Sequence, residues 1–242
     1  MKNVGDAKGN IIVTLSDITE LETIRQKSRD HVVILTLLMS VLCLWNLVYS
    51  AWNELGQPLS SSTLTKGVEI IGIVVLLFTI KTTSLSIKDM GIRFENIKAV
   101  MKRSAIISAS IAVIMIIAKV ILLKVAPGVF PEGAPFFDFR RIRIQFILYI
   151  YTAFIQEFIS RGVIQESLAN VFQGKHSHIL SIAITSLLFA ALHIHKGLLM
   201  CIGAGVLSIL LGILYRKDRT IWGLVLVHYT FGLIPNLLGI SS

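Results

Sequence analysis

The stretch VVILTLLMSVLCLWNLVYSA, residues 32–51, carries no charged side chain. A helix that crosses a lipid bilayer needs about 20 consecutive, mostly apolar residues. This run has that length and composition. It therefore predicts a membrane-spanning helix and decides the class of the protein.

The composition of the whole chain agrees with this interpretation. Of 242 residues, 54% are hydrophobic and only 15% are charged, which is too apolar for a soluble domain of this size. The net charge of +9 would suggest nucleic-acid binding in a soluble protein. Here the Lys and Arg residues lie at the ends of apolar runs, where they anchor helices. We expect the lipid bilayer as partner and no nucleic acid.

Six further apolar runs predict an all-α, polytopic integral membrane bundle with six to eight transmembrane helices. Residues 1–31 are expected to form a cytoplasmic N-terminal segment, with a short helix at 16–30. Residues 32–238 are expected to form one bundle, whose core of functional motifs lies at 145–238. The six runs are 67–84, 104–125, 145–170, 178–194, 197–215 and 220–238.

The Lys and Arg residues between the runs predict the orientation. With the N-terminus inside, fifteen of them lie in inner segments and six in outer segments, as the positive-inside rule requires. We therefore expect a cytoplasmic N-terminus. The compact chain is compatible with the plasma membrane of a bacterium, which is the expected location.

The segment FIQEFISRGVIQESL, residues 154–168, brings charge into this apolar chain. Ionisable groups at membrane depth are costly, so they usually pair with one another or perform chemistry. Glu157 and Arg161 are spaced i, i+4 and so share one helix face. They are either a structural ion pair or part of a reactive site. Glu166 lies two turns further on and is expected near the inner surface, in contact with solvent.

Two histidines favour the reactive site. FAALHIH (189–195) places Phe189 and His193 on one face, and VLVHYTFG (225–232) places His228 in the last run. A single histidine in an apolar helix is more often a packed core residue. Two histidines and the carboxylate of Glu157, on three helices, provide a base and a second proton carrier for a bound water, as hydrolysis requires. The same three groups could also bind zinc, although no HExxH spacing is present.

Three segments together resemble the CPBP family of CAAX prenyl endopeptidases and bacteriocin-processing proteins, also called Abi. They are QEFISR (156–161), FAALH (189–193) and the histidine at 228. The family pattern is Glu-Glu-x-x-x-Arg, then Phe-x-x-x-His, then His-x-x-x-Asn or Asp, on separate membrane helices. The resemblance implies an intramembrane endopeptidase in which a glutamate activates water, a histidine assists, and the last motif stabilises the oxyanion. It implies no required metal.

The resemblance assigns catalytic positions to Glu157, His193, His228 and Gln156, and supporting positions to Arg161 and Phe189. Gln156 departs from the family because it stands where the first glutamate, the usual general base, is expected. A carboxamide accepts no proton near neutral pH. Either Glu157 is the base, which we favour, or the protein is a binding module without catalysis, or the glutamine is an introduced change that traps an inactive state.

A second departure is Gly232, which stands where the Asn or Asp of the last motif is expected. Asn236, two turns beyond His228, could supply an amide if the helix continues through Pro235. Tyr149 and Tyr151 are interpreted as part of the aromatic belt at the membrane interface.

The sequence thus predicts an intramembrane endopeptidase that needs no cofactor, with zinc as the alternative. Its expected partner is a peptide or membrane-protein substrate that enters from the inner leaflet or the cytosolic side. In a bacterium this would be a secreted peptide, a signal peptide or a bacteriocin leader rather than a prenylated protein. The alternatives are a catalytically inactive membrane binding or bacteriocin-immunity protein with a structural polar core, and a small transporter that relays protons.

Overall fold

The computed structural model describes residues 15–58, 61–83, 86–130, 132–141, 144–172, 174–194 and 197–240. Within these ranges the chain forms helices joined by turns and loops, without a strand. A π-helix, Phe158–Gln165, continues α4 into α5. The α-helices are α1 (Leu15–Glu54), α2 (Ser61–Thr82), α3 (Ile97–Val125), α4 (Ile144–Glu157), α5 (Glu166–Val171), α6 (Ser177–Leu192), α7 (Leu198–Asp218) and α8 (Trp222–Leu237).

A helix lies at each of the seven apolar runs, so the predicted all-α fold is confirmed. The short helix expected at 16–30 does not stand alone, because α1 runs without a break from Leu15 to Glu54. Most residues in 16–30 are compatible with a helix, and so are those of the apolar run that follows. The sequence therefore has no break that would end the helix between the two segments. The cytoplasmic location of residues 1–31 stays a prediction.

The outer surface of the bundle is that of a membrane protein. Among the described residues, three helices, α1, α3 and α7, are long and apolar enough to span a bilayer, and α6 is a shorter apolar helix. Large apolar side chains point outward, such as Leu47, Ile114, Leu187 and Val206. A soluble protein would bury such side chains, whereas lipid solvates them.

Close helix packing builds the centre of the bundle. α3 packs along α8, α6 packs along α7, and α4 lies beside α8. Gly223 permits the first of these contacts, since a Cβ there would lie 2.3 Å from Oγ of Ser104 on α3. A larger side chain at this position would force α3 and α8 apart.

The π-helix is packed against the turn that follows α2. A Cβ on Gly162 would lie 2.2 Å from the backbone oxygen of Met90, so only glycine allows this approach. Single π-turns inside α-helices are rare and are frequent at functional sites. This one begins directly after Glu157, in the segment that carries the charged motif.

Polar contacts join the helices at the end of the bundle where α5 begins and α7 ends. Both carboxylate oxygens of Glu166 accept hydrogen bonds from the Arg219 guanidinium, each at 2.6 Å. Glu166 is therefore buried in a bidentate ion pair, and the expectation that solvent surrounds it is wrong. Nδ1 of His31 lies 3.0 Å from Oγ of Ser167, which ties α1 to α5.

The segment between α3 and α4 covers the opposite end. The backbone N–H of Asp138 donates to the carbonyl of Leu237 at the end of α8. Nζ of Lys119 donates to the carbonyl of Phe136 at 2.6 Å. This segment therefore folds back on the helices, and the cavity described below lies near the same end.

Candidate active site

Glu157 and Arg161 form a buried ion pair at the junction of α4 and the π-helix. Both side chains are 0% exposed, and Nε of Arg161 donates to Oε2 of Glu157 at 3.2 Å. The other guanidinium nitrogens donate to Oε1 of Gln165 at 3.0 Å and to Oγ of Ser208 at 2.6 Å. The predicted i, i+4 contact is present. It belongs to a network that joins the π-helix to α7.

His228 on α8 completes the environment of Glu157. Its Nδ1 lies 2.7 Å from Oε1 of the carboxylate. Because a carboxylate beside a guanidinium accepts hydrogen bonds, Nδ1 must carry the proton. Neutral His228 then has its lone pair on Nε2, on the other side of the ring. Both oxygens of Glu157 are thus engaged, one by Arg161 and one by His228.

Phe189 and His193 lie at the end of α6. The Nδ1–H of His193 donates to the backbone carbonyl of Phe189 at 2.8 Å, which likewise places the lone pair of the neutral ring on Nε2. The Phe189 ring lies 4.7 Å from the His193 ring and 5.7 Å from the His228 ring, centroid to centroid. Phe189, which is 4% exposed, therefore separates and orients the two histidines.

A small cavity of about 70 Å³ lies between these helices. Since about 10–15 Å³ of such space is enough for one water, the cavity can hold water. The polar side chains in its wall are Tyr149, His193 and His228, and the remaining wall is mainly apolar. The full lining is Tyr149, Phe189, His193, Met200, Ala204, Leu207, His228, Phe231, Gly232 and Pro235.

Tyr149 reaches this cavity because position 232 is a glycine. A Cβ on Gly232 would lie 2.3 Å from Cε1 of Tyr149 and 2.7 Å from its hydroxyl oxygen. The phenol thus fills the space that a side chain at 232 would occupy, one turn beyond His228. The Tyr149 ring lies edge-on to His228, with centroids 5.9 Å apart. The assignment of Tyr149 to the aromatic belt is therefore wrong.

Gln156 and Asn236 do not line the cavity. Oε1 of Gln156 is buried and has no hydrogen-bond partner in the described part of the chain. Such an acceptor is uncommon in folded proteins. α8 does continue past Pro235, as it must if Asn236 is to supply an amide. The Asn236 side chain, however, is not part of the cavity wall.

The cavity lies towards one end of the bundle. Tyr149 is near the start of α4, His193 follows the last residue of α6, Met200 is near the start of α7, and Pro235 is near the end of α8. The Glu166–Arg219 ion pair marks the opposite end. With a cytoplasmic N-terminus, the cavity would therefore face the outer half of the bilayer, and not the inner side from which the sequence predicts that the substrate enters.

The geometry bears on the zinc alternative. Glu157 and His228 are bonded to each other, and the second oxygen of Glu157 accepts from Arg161. Within the described ranges, no three His, Cys, Asp or Glu side chains are arranged to hold a metal ion. The set of Glu157, His193 and His228 is thus not preformed as a zinc site. That catalysis needs no cofactor stays a prediction.

Comparison with known proteins identifies the same part of the chain. Residues 140–234 match one family, described as Type II CAAX prenyl endopeptidase Rce1-like. The matched segment contains QEFISR, FAALH and His228, and α1 to α3 lie outside it. No significant match was found among curated proteins or among solved structures. The resemblance to CAAX proteases is therefore confirmed for the part of the chain that carries the motifs.

Proposed function

Since residues 140–234 are Rce1-like in sequence, we propose that this membrane protein is an intramembrane endopeptidase in which His228 activates water. The observation that carries this proposal is the 2.7 Å contact between Nδ1 of His228 and the buried carboxylate of Glu157. It leaves the basic nitrogen of His228 for the cavity. A carboxylate that fixes the tautomer of a histidine base is a recurring arrangement in hydrolases.

The reaction begins with a water bound between His228 and the substrate carbonyl. Nε2 of His228 takes one proton as the water oxygen bonds to the carbonyl carbon, and the carbonyl π electrons move onto oxygen. The tetrahedral intermediate then collapses, the C–N bond breaks, and the imidazolium returns the proton to the leaving amine. The products are a carboxyl group and an amine, with no net change in the site.

Glu157 acts through His228 in this proposal. Its carboxylate holds Nδ1–H and stabilises the imidazolium that forms during attack. Arg161 compensates the buried charge of Glu157 and fixes its position through Ser208 and Gln165. This indirect role of Glu157 differs from the role as general base that is favoured from the sequence. With His228 as the base, Gln156 can replace a glutamate without abolishing proton transfer.

His193 is the second hydrogen-bond acceptor in the proposed site. Its Nδ1–H is held by the Phe189 carbonyl, so Nε2 of the neutral ring is an acceptor. In the proposed reaction it accepts a hydrogen bond from the attacking water or from the leaving amine. Phe189 sets the separation of the two imidazoles by contacting both.

The position of the cavity indicates where a substrate would approach. The cavity of about 70 Å³ can hold water and the reacting carbonyl, while the remainder of the substrate lies outside it. The substrate backbone must therefore approach from the helix ends around Tyr149, His193 and Pro235. With the predicted orientation, this is a peptide or membrane-protein segment at the outer half of the bilayer.

One observation favours the alternative, a membrane binding protein without catalysis. Gln156 stands where the family has a glutamate, and its buried oxygen has no partner, as expected where a protonated or charged group has been replaced. In that case the polar network would serve to hold α4, α7 and α8 together.

Single alanine variants distinguish the two functions. His228→Ala and His193→Ala should each lower peptide cleavage by the purified protein by about 10²-fold or more, with the folded protein intact in detergent. His178→Ala is a matched control, because His178 is exposed at the start of α6, and it should cleave normally. The result that would support the binding protein has two parts: the unaltered protein does not cleave, and the variants lose thermal stability.

A further inference from the structure

The cavity needs a hydrogen-bond donor if a peptide bond is hydrolysed there. Attack of water places negative charge on the carbonyl oxygen, and hydrolases stabilise this charge with preorganised donors. In most sites the donors are backbone or side-chain N–H groups. Here the polar side chains that line the cavity are the two imidazoles and the Tyr149 phenol.

Neither imidazole provides that donor at the start of the reaction. Nδ1–H of His228 donates to Glu157, and Nδ1–H of His193 donates to the Phe189 carbonyl. With these protons placed, Nε2 of each neutral ring is an acceptor. After attack, His228 carries a proton on Nε2, but this is the proton that passes to the leaving amine. Of the side chains in the cavity wall, the phenol is thus the donor that is left for the oxyanion.

We propose that the hydroxyl of Tyr149 donates a hydrogen bond to the oxyanion of the tetrahedral intermediate. This inference rests on the proposed peptidase function and adds a catalytic residue to it. The phenol keeps its proton throughout, so the reaction remains balanced as described above.

The geometry around Gly232 supports the assignment. The hydroxyl oxygen of Tyr149 lies 2.7 Å from the point where a Cβ at 232 would be, on the same helix face as His228 and one turn away. Tyr149, Ala153 and Glu157 are spaced i, i+4, i+8 along α4, so one helix face supplies both the phenol and the carboxylate that holds His228. Ala153, which is 0% exposed, lies between them on this buried face.

The surroundings also fix the phenol in place. Its ring contacts the rings of His228 and Tyr229, with centroids 5.9 and 6.1 Å away. The backbone of α8 at Gly232 lies directly against Cε1 and Cζ. A donor held in this way needs little reorganisation during the reaction, which is the condition for effective oxyanion stabilisation.

The test is Tyr149→Phe, which retains the ring and removes only the hydroxyl. We expect kcat to fall by about 10²–10³-fold, the usual loss for one oxyanion donor, while KM changes by less than about threefold because the donor acts mainly in the transition state. Tyr151→Phe is the control, since Tyr151 is exposed to the lipid side and should retain full activity.

The outcomes separate this inference from the proposed function. The variant is compared in the unaltered chain and in a Gln156→Glu background. If His228→Ala abolishes cleavage but Tyr149→Phe cleaves within about threefold of its parent, the phenol is not the donor and the peptidase remains. If neither parent cleaves any peptide, the peptidase function and the inference fail together.

Discussion

Arg161→Met should destabilise the protein strongly, because it leaves the charge of Glu157 buried without compensation. The methionine retains most of the side-chain volume, so the loss is electrostatic rather than steric. Removing one partner of a buried ion pair costs about 3–5 kcal/mol. Arg161 also donates to Gln165 and Ser208, so the upper part of this range is expected.

This free energy converts into a measurable thermal shift. For a chain of 150–250 residues, each kcal/mol lowers Tm by about 2–4 °C, so Arg161→Met should melt about 6–20 °C below the parent. The assay is the apparent Tm of the detergent-solubilised protein at a fixed heating rate. Arg140→Met is a matched control, because Arg140 pairs with Asp138 on the surface with 82% of its side chain exposed, and its Tm should be close to that of the parent.

A double variant isolates the charge from the packing. Glu157→Leu combined with Arg161→Met removes both charges, and replacement of a whole buried pair is often nearly neutral. The double variant should therefore recover much of the lost Tm, although not its activity, since His228 loses its partner. A buried, uncompensated charge is ruled out if Arg161→Met melts within about 2 °C of the parent, which corresponds to less than about 1 kcal/mol, or if the double variant is less stable than either single variant.

Three further experiments test the helix packing, the Glu166–Arg219 ion pair and the need for a metal. Gly162→Ala should lower stability by about 1–3 kcal/mol, because its Cβ would meet the Met90 carbonyl oxygen. Gly67→Ala, which has open space around its Cβ, should not, and equal Tm values for the two would contradict the close packing. Glu166→Gln should weaken the ion pair to Arg219 and lower Tm modestly, yet leave kcat unchanged; a large fall in kcat would connect this end of the bundle to the chemistry. Dialysis against a chelator should leave peptide cleavage unchanged, and loss of cleavage that zinc restores would favour a metal mechanism.

The helical architecture follows from the sequence because lipid imposes a simple condition on it. Backbone groups inside a bilayer must be hydrogen-bonded within the helix, so each long apolar run becomes a helix, and all seven are found. The i, i+4 rule also predicts the contact of Glu157 with Arg161, and that of Phe189 with His193. These are local relations within one helix, which spacing alone determines.

Contacts between helices are not available from such rules. The π-helix at 158–165 has no distinct pattern of residue types, and the approach of Gly162 to Met90 depends on a segment about seventy residues earlier in the chain. Glu166 pairs with Arg219 because the fold brings the start of α5 next to the residue that follows α7. The apolar run that contains Glu166 therefore does not predict that this side chain is buried.

Two features of the sequence connect Tyr149 with the site. Its position two turns before Glu157 places it on the face of the motif, and a glycine at 232 leaves room for a large neighbour. Neither feature is decisive alone, because tyrosines near helix ends are typical of the membrane interface. Only the packing of α4 beside α8 brings Tyr149 and Gly232 together.

Peptide cleavage by the purified protein is the direct measure of the proposed activity. The unaltered chain, Gln156→Glu and Glu157→Gln are incubated in detergent with a peptide library, and products are identified by mass spectrometry. We expect cleavage by the unaltered chain and a loss of about 10²-fold or more in Glu157→Gln, because a carboxamide no longer stabilises the His228 imidazolium. Cleavage by Gln156→Glu alone would contradict this expectation and would favour the binding protein without catalysis.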